Sequence, residues 1–205
     1  MEAIRNQLEI AHAATGAALK IYRKVYADIP ARDISSELVT NPGPYTNNKL
    51  QRDRGWWQRE LYRITDLTYH HTLSDNPWAT ARHYINKGGG RPTTPYTIWI
   101  TQTGEVLQCV ALTEGLWHDH TGHENVHLSV GLAGTLHLYS PADAQLDAAA
   151  KFAVWAIRSE SMPLINSIDR ITGHRDWIAT TCPGWSSEAS NHWKPELYAR
   201  IEALL

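Results

Sequence analysis

The 205-residue chain is poor in cysteine, methionine and phenylalanine, with two, two and one of each. Two cysteines make at most one disulfide, so the cross-linked framework of a small secreted scaffold is excluded. No apolar run approaches the roughly 20 residues that a membrane-spanning helix requires. Charge of one sign is also lacking, since 19 Lys and Arg stand against 21 Asp and Glu. The resulting balance excludes the basic footprint of a nucleic-acid binder or of a protein held on an anionic membrane. There is no internal repeat and no low-complexity segment. The first residues, MEAIRNQLEIAHAATGAALKIYRKVY, place Glu2, Arg5, Glu9, Lys20 and Arg23 where a secretory signal needs an apolar centre. The sequence thus predicts a chain made in the cytoplasm without a Sec-type signal.

What is present suits a globular protein, with 42% apolar and 20% charged residues. The length allows one full-sized domain and an appendage. Nine Trp and nine Tyr form a composition fitted to stacking on sugars and lining grooves. The histidine count is high at eleven, and most lie between His70 and His174.

Apolar residues from Ile4 to Tyr26 recur at helical spacing, predicting an amphipathic helix over 3–27 whose stripe packs on the main domain. Pro30 ends it, and NPGPYTNN (41–48) reads as a turn-rich linker, so 28–55 is expected to run over the surface. The chain divides on this basis into 1–55, a helix and linker, and 56–205, an α/β domain. Within the latter, 64–70 predicts a strand ending on two histidines, and Asn76-Pro77 opens a helix. GGGRPTTP (88–95) is a loop. Residues 96–101 and 105–111 form a hairpin turning at Gly104. Further strands are expected at 128–132, 135–138 and 168–172. Ser140-Pro141 with Asp143 predicts a helix start, running to about Ser159, and 195–204 a last helix.

The lone cysteine of GHRDWIATTCPG (173–184) follows His174 and is itself followed by Pro and Gly. A catalytic zinc site takes three His, Cys or carboxylate ligands and keeps a fourth position open. His174 and Cys182 supply two from one curled loop, with Cys182 bound as thiolate. The third comes from elsewhere, and His70 or His71 at the end of the first strand is the natural candidate.

Four motifs in order then resemble the zinc-dependent N-acetylmuramoyl-L-alanine amidases, a family that includes phage amidases and peptidoglycan recognition proteins. They are YHHT (69–72), YTIWITQTG (96–104), GLWHDHTGHENVHLSVG (115–131) and GHRDWIATTCPG. The resemblance implies a mixed central β-sheet flanked by helices, here with an extra N-terminal helical segment. It implies one zinc ion held by His70, His174 and Cys182, and cleavage of the amide between N-acetylmuramic acid and L-alanine of peptidoglycan. Tyr96 takes the place of the active-site tyrosine, close to the reacting water or the developing oxyanion. Thr180 takes the position where some phage members carry lysine and recognition proteins carry threonine, for transition-state or substrate contact. His71, Arg91, Trp117 and His118 are the expected substrate-binding residues against glycan strand and stem peptide.

The histidines His118, His120, His123 and His127 allow a rival reading as a second metal site. Groove lining is favoured, because the motif match puts them on the substrate rim. Cys109 is expected to be a buried free thiol, since a bond to Cys182 would destroy the metal site. Two other functions compete with the phage-lysin setting, in which the enzyme is released by lysis or through a pore. One is a non-catalytic peptidoglycan-binding module, whose members lose the zinc cysteine. The other is a cytoplasmic recycling amidase, a branch that usually carries aspartate where Cys182 stands.

Overall fold

A computed structural model describes residues 29–38, 56–86, 93–118, 123–185 and 192–205. The predicted helix over 3–27, the linker at 41–48 and most of the glycine loop, Arg91 included, lie outside the described residues. The sheet and its helices belong to the compact unit Ala31–Leu205.

The frame of this unit is a six-stranded mixed sheet, assembled from β1 (Arg32–Asp33), β3 (Asp66–His71), β4 (Ile98–Ile100), β5 (Val106–Gln108), β7 (His127–Leu132) and β8 (Ile171–Gly173). The strand order is β1-β5-β4-β7-β3-β8. Neighbours are parallel except β4 and β5, which form the expected hairpin. Two short strands, β2 (Trp56–Gln58) and β6 (Glu114–Leu116), pair as a separate antiparallel ribbon.

Strand β3 sits between β7 and β8, and all six of its residues are buried. Alternation then sorts its side chains: Leu67, Tyr69 and His71 take one face, and Asp66, Thr68 and His70 the other. The apolar face is covered by α2 (Asp143–Ile157), whose many alanines admit close approach. Tyr69 donates its hydroxyl to the Ala149 carbonyl at 2.8 Å, fixing helix to strand. Buried Gln145 bonds the carbonyls of Ile100 and Ala133 at 3.0 and 3.1 Å. Helix α3 (Lys194–Leu204) packs on α2 through Leu197 and Ile201. Arg200 of α3 pairs with Asp143 at 2.7 Å and Asp147 at 2.5 Å across that seam.

On the opposite face, α1 (Pro77–Asn86) covers the β4–β5 end, adding Ala81 and Trp78 to a cluster with Tyr96, Trp99, Leu107 and Cys109. The β3–β7–β8 end of this face carries polar residues instead, among them Thr68, Ser129 and Thr172. Cys109 is free and buried in the α1 cluster, and Cys182 is also free. Among the described residues no helix is long and apolar enough to cross a membrane.

Four local expectations differ. Of the strand expected at 168–172, Ile168–Arg170 form a 3-10 turn and the pairing begins only at Ile171. Residues 31–38 do not run over the surface: β1 pairs with β5, and Ile34 and Leu38 join the core cluster. Residues 135–138 form a turn rather than a strand, because Gly134 adopts φ +113° and Leu138 bonds back to Thr135. Helix α2 starts at Asp143 behind Ala142, so Ser140 makes no side-chain cap.

Candidate metal centre

Register brings the first two ligands together. Tyr69 lies opposite Gly173, so His70 and His174 leave the ends of β3 and β8 side by side. Their rings stand 4.7 Å apart between centroids. The residue after His70 points to the face that α2 covers, which selects His70 over His71 for this site.

The third ligand comes from the turn after β8. Asp176 accepts the Gly173 amide and the Lys194 ammonium, each at 2.9 Å, pinning the start of the turn to α3. Arg175 donates its amide to the Cys182 carbonyl at 2.9 Å, closing the loop. Thr180 Oγ1 accepts the Cys182 amide at 3.2 Å, and the His71 amide points at Cys182 Sγ from 3.3 Å. Two glycines let this loop sit tight: a Cβ on Gly173 would enter the Trp185 indole, and Gly184, at φ +98°, lies against the Leu136 carbonyl.

The donors of His70, His174 and Cys182 lie within 4.8 Å of one another. Zinc bonds of about 2.3 Å to sulfur and about 2.0 Å to nitrogen, at tetrahedral angles, set S and N roughly 3.6 Å apart. Cys182 Sγ lies 3.7 Å from His70 Nδ1. The donor set thus fits a zinc ion. Burial pushes the Cys182 thiol up to about 12, opposed only in part by the His71 amide. Such a thiol holds its proton at neutral pH unless a cation stands beside it.

Around these ligands the other predicted residues take distinct places. Tyr96 is buried with its ring 5.5 Å from that of His70, and it donates its hydroxyl to the His71 carbonyl at 3.2 Å. His71 lies on the far side, its Nδ1 3.4 Å from Nδ1 of His137. Burial, then His137 and His174, pull its pKa down to about 4, so its ring is neutral. His118 is buried against His70, with Nδ1 3.0 Å from His70 Nε2. Trp117 next to it is 39% exposed. Thr180 is half-buried and holds the ligand loop through its hydroxyl.

Spacing in the second histidine cluster hid a pattern, for His123 to His127 spells H-E-x-x-H. On a helix that pattern places two zinc ligands on one face. Here the segment is a turn, closed by the Val126 amide on the His123 carbonyl at 2.8 Å, and His127 already belongs to β7. Among the described residues these histidines bring no group of three ligand atoms together. Trp177 packs on them instead, its ring 4.5 Å from His127 and 5.5 Å from His123. Its indole N–H bonds Thr172, which in turn meets Thr68 at 3.2 Å. Sequence reasoning missed Trp177, Thr68 and Thr172. The alternating polar positions of TDLTYHH are the signal that marks this face.

One thiol and two imidazoles that could hold a metal ion thus meet at the carboxyl ends of parallel strands, beside a polar sheet face, where open α/β sheets place their ligand sites. The chain belongs to the N-acetylmuramoyl-L-alanine amidase family, whose sequence model matches residues 60–185. Solved structures share the fold. The endolysin amidase LysCS from Clostridium intestinale is 16% identical with a TM-score of 0.58, over 71% of this chain and 88% of that one. Peptidoglycan recognition protein-LE, in complex with tracheal cytotoxin, is 14% identical with a TM-score of 0.60, over 76% and 88%. The recognition protein SA of Apis mellifera is 19% identical with a TM-score of 0.54, over 62% and 81%. No curated protein sequence matches the chain.

Proposed function

We propose that the chain is a zinc hydrolase that cuts the amide between N-acetylmuramic acid and L-alanine in peptidoglycan. The observation that carries this reading is the meeting of His70, His174 and Cys182 donors at a spacing suited to zinc. Family membership supports the bond cleaved. The neighbours add the setting, an endolysin in one case and a bound peptidoglycan fragment in another.

His70, His174 and Cys182 would hold the zinc ion, which would supply Lewis acidity toward the amide carbonyl and activate water at neutral pH. The chain's own residues do the rest. The His71 amide and the Thr180 hydroxyl hold the cysteine loop so that Sγ faces His70. Tyr96 holds its phenol beside the ligands, and its one O–H, donated to the His71 carbonyl in the free protein, would swing to the developing oxyanion. Thr180 flanks the same position. Exposed Trp177, whose indole covers Thr172 and Thr68, and exposed Trp117 offer ring faces to the stem peptide and glycan strand. His71, neutral and turned to His137, supports the ligand loop beneath the substrate. Catalysis is assigned to 56–205, with the edge strand from 31–38 completing the sheet. The enzyme acts on the cell wall after release by lysis or through a pore, as a phage lysin does.

The test is incubation of the purified chain with peptidoglycan while new N-terminal L-alanine is measured. Zinc-loaded protein should release it, and chelated protein or Cys182→Ala should not. Binding to peptidoglycan without alanine release would instead identify a recognition module. Release that survives both chelation and Cys182→Ala would refute the zinc mechanism.

A further inference from the structure

The two nitrogens of His70 face different partners. Nδ1 is on the side of Cys182, 3.7 Å from Sγ, and Nε2 lies 3.0 Å from Nδ1 of His118. A neutral imidazole carries one proton, so the nitrogen that gives its lone pair to a metal obliges the other to be the N–H. With Nδ1 turned to the metal position, the proton of His70 is on Nε2 and His118 must accept it at Nδ1. Both rings are buried, His70 at 1% exposure and His118 at 6%, and water cannot readily substitute for that acceptor. The rings cross nearly at right angles, 87°, with centroids 5.0 Å apart, which directs the edge of one at the other.

We propose that His118 is a positioning residue for the metal centre, whose Nδ1 fixes the tautomer and orientation of the ligand His70. The inference rests on the zinc reading above and deepens it. It also gives His118 a task besides substrate contact: His118 acts through His70 rather than on the substrate alone. The arrangement is the imidazole counterpart of the carboxylate or carbonyl that orients most metal-bound histidines.

The experiment compares the full chain with His118→Leu and His118→Asn. Asparagine sets an oxygen acceptor close to where Nδ1 stood, whereas leucine offers none. Zinc affinity is measured by competition with a chromophoric chelator at one neutral pH, and cobalt(II) absorption reports the geometry of the thiolate site. His118→Leu should bind zinc about 10–100-fold more weakly, with a disturbed cobalt spectrum. His118→Asn should recover most of that loss. Nitrogen-15 spectra of the metal-free wild type should show the His70 proton on Nε2, which needs no variant to fold.

A His70 proton on Nδ1 in the wild type would overturn the inference. So would wild-type zinc affinity in His118→Leu, including the case in which only KM rises and His118 serves substrate alone. Asparagine as weak as leucine, with both metal-free variants melting like the wild type, would do the same. Failure of the wild type itself to bind zinc would refute the zinc reading, an outcome distinct from all of these.

Discussion

Gly131 is the residue through which packing most directly reaches the site. It pairs with His70 across β3 and β7, on the face that carries the ligands. A Cβ built on it would lie 2.8 Å from both Thr72 Cγ2 and Tyr96 Cγ, and 2.9 Å from Tyr96 Cδ2. Carbon atoms pack at about 3.5–4.0 Å, so Gly131→Ala drives an overlap of about 0.7–1.2 Å into two side chains at once. Neither can yield cheaply. Thr72 is fixed through its hydroxyl, which donates to the Ser74 carbonyl at 2.5 Å and accepts the Gly134 amide at 3.3 Å. Tyr96 is wedged between Trp99, at 5.8 Å, and His70, and its hydroxyl is committed to His71. Overpacking of this kind costs about 1–3 kcal/mol. For a domain of this size that is a fall in melting temperature of roughly 2–12 °C. Urea and thermal unfolding measure the first part, and alanine release measures the second. If the clash works by swinging the Tyr96 phenol away, Gly131→Ala and Tyr96→Phe will be non-additive in kcat, the double variant being little worse than either single. A Gly131→Ala protein within about 0.5 kcal/mol of wild type would refute the packing argument. A destabilised variant with full kcat would refute the role given to Tyr96.

Thr180→Val removes the acceptor of the Cys182 amide and should cost about 1 kcal/mol together with several-fold of zinc affinity; Thr180→Ser should restore both, and chelator competition checks it. Tyr69→Phe breaks the bond to Ala149 and should lower stability by about 0.5–1.5 kcal/mol while leaving zinc affinity unchanged, since it acts on the far face. The metal-free protein should lose stability as pH rises from about 9 toward 12, because the unfolded thiol releases a proton that native Cys182 retains. The loss from this group runs up to about 1.4 kcal/mol per pH unit, so the alkaline slope in urea melts should flatten in Cys182→Ser; an unchanged slope would refute the burial argument.

Legibility followed the range of the interactions. Strand β3 and the β4–β5 hairpin were readable because alternation and a turn glycine are local signals. The β2–β6 ribbon was not, since it joins three-residue strands far apart in sequence through Trp57 packed over Gly115. The segment 135–138 has strand-forming residues, yet Gly134 in a left-handed conformation turns the chain before any partner can pair. At the candidate site, alternation stated that only one of His70 and His71 faces it, but not which. That choice is made by helix α2 covering the face of Tyr69 and by the register that sets His70 beside His174. The H-E-x-x-H at 123–127 shows the converse: spacing without the helix brings no ligands together. The candidate ligand set therefore depends on sheet register, and His118, from beyond strand β6, meets a nitrogen of His70 that no spacing rule relates to it.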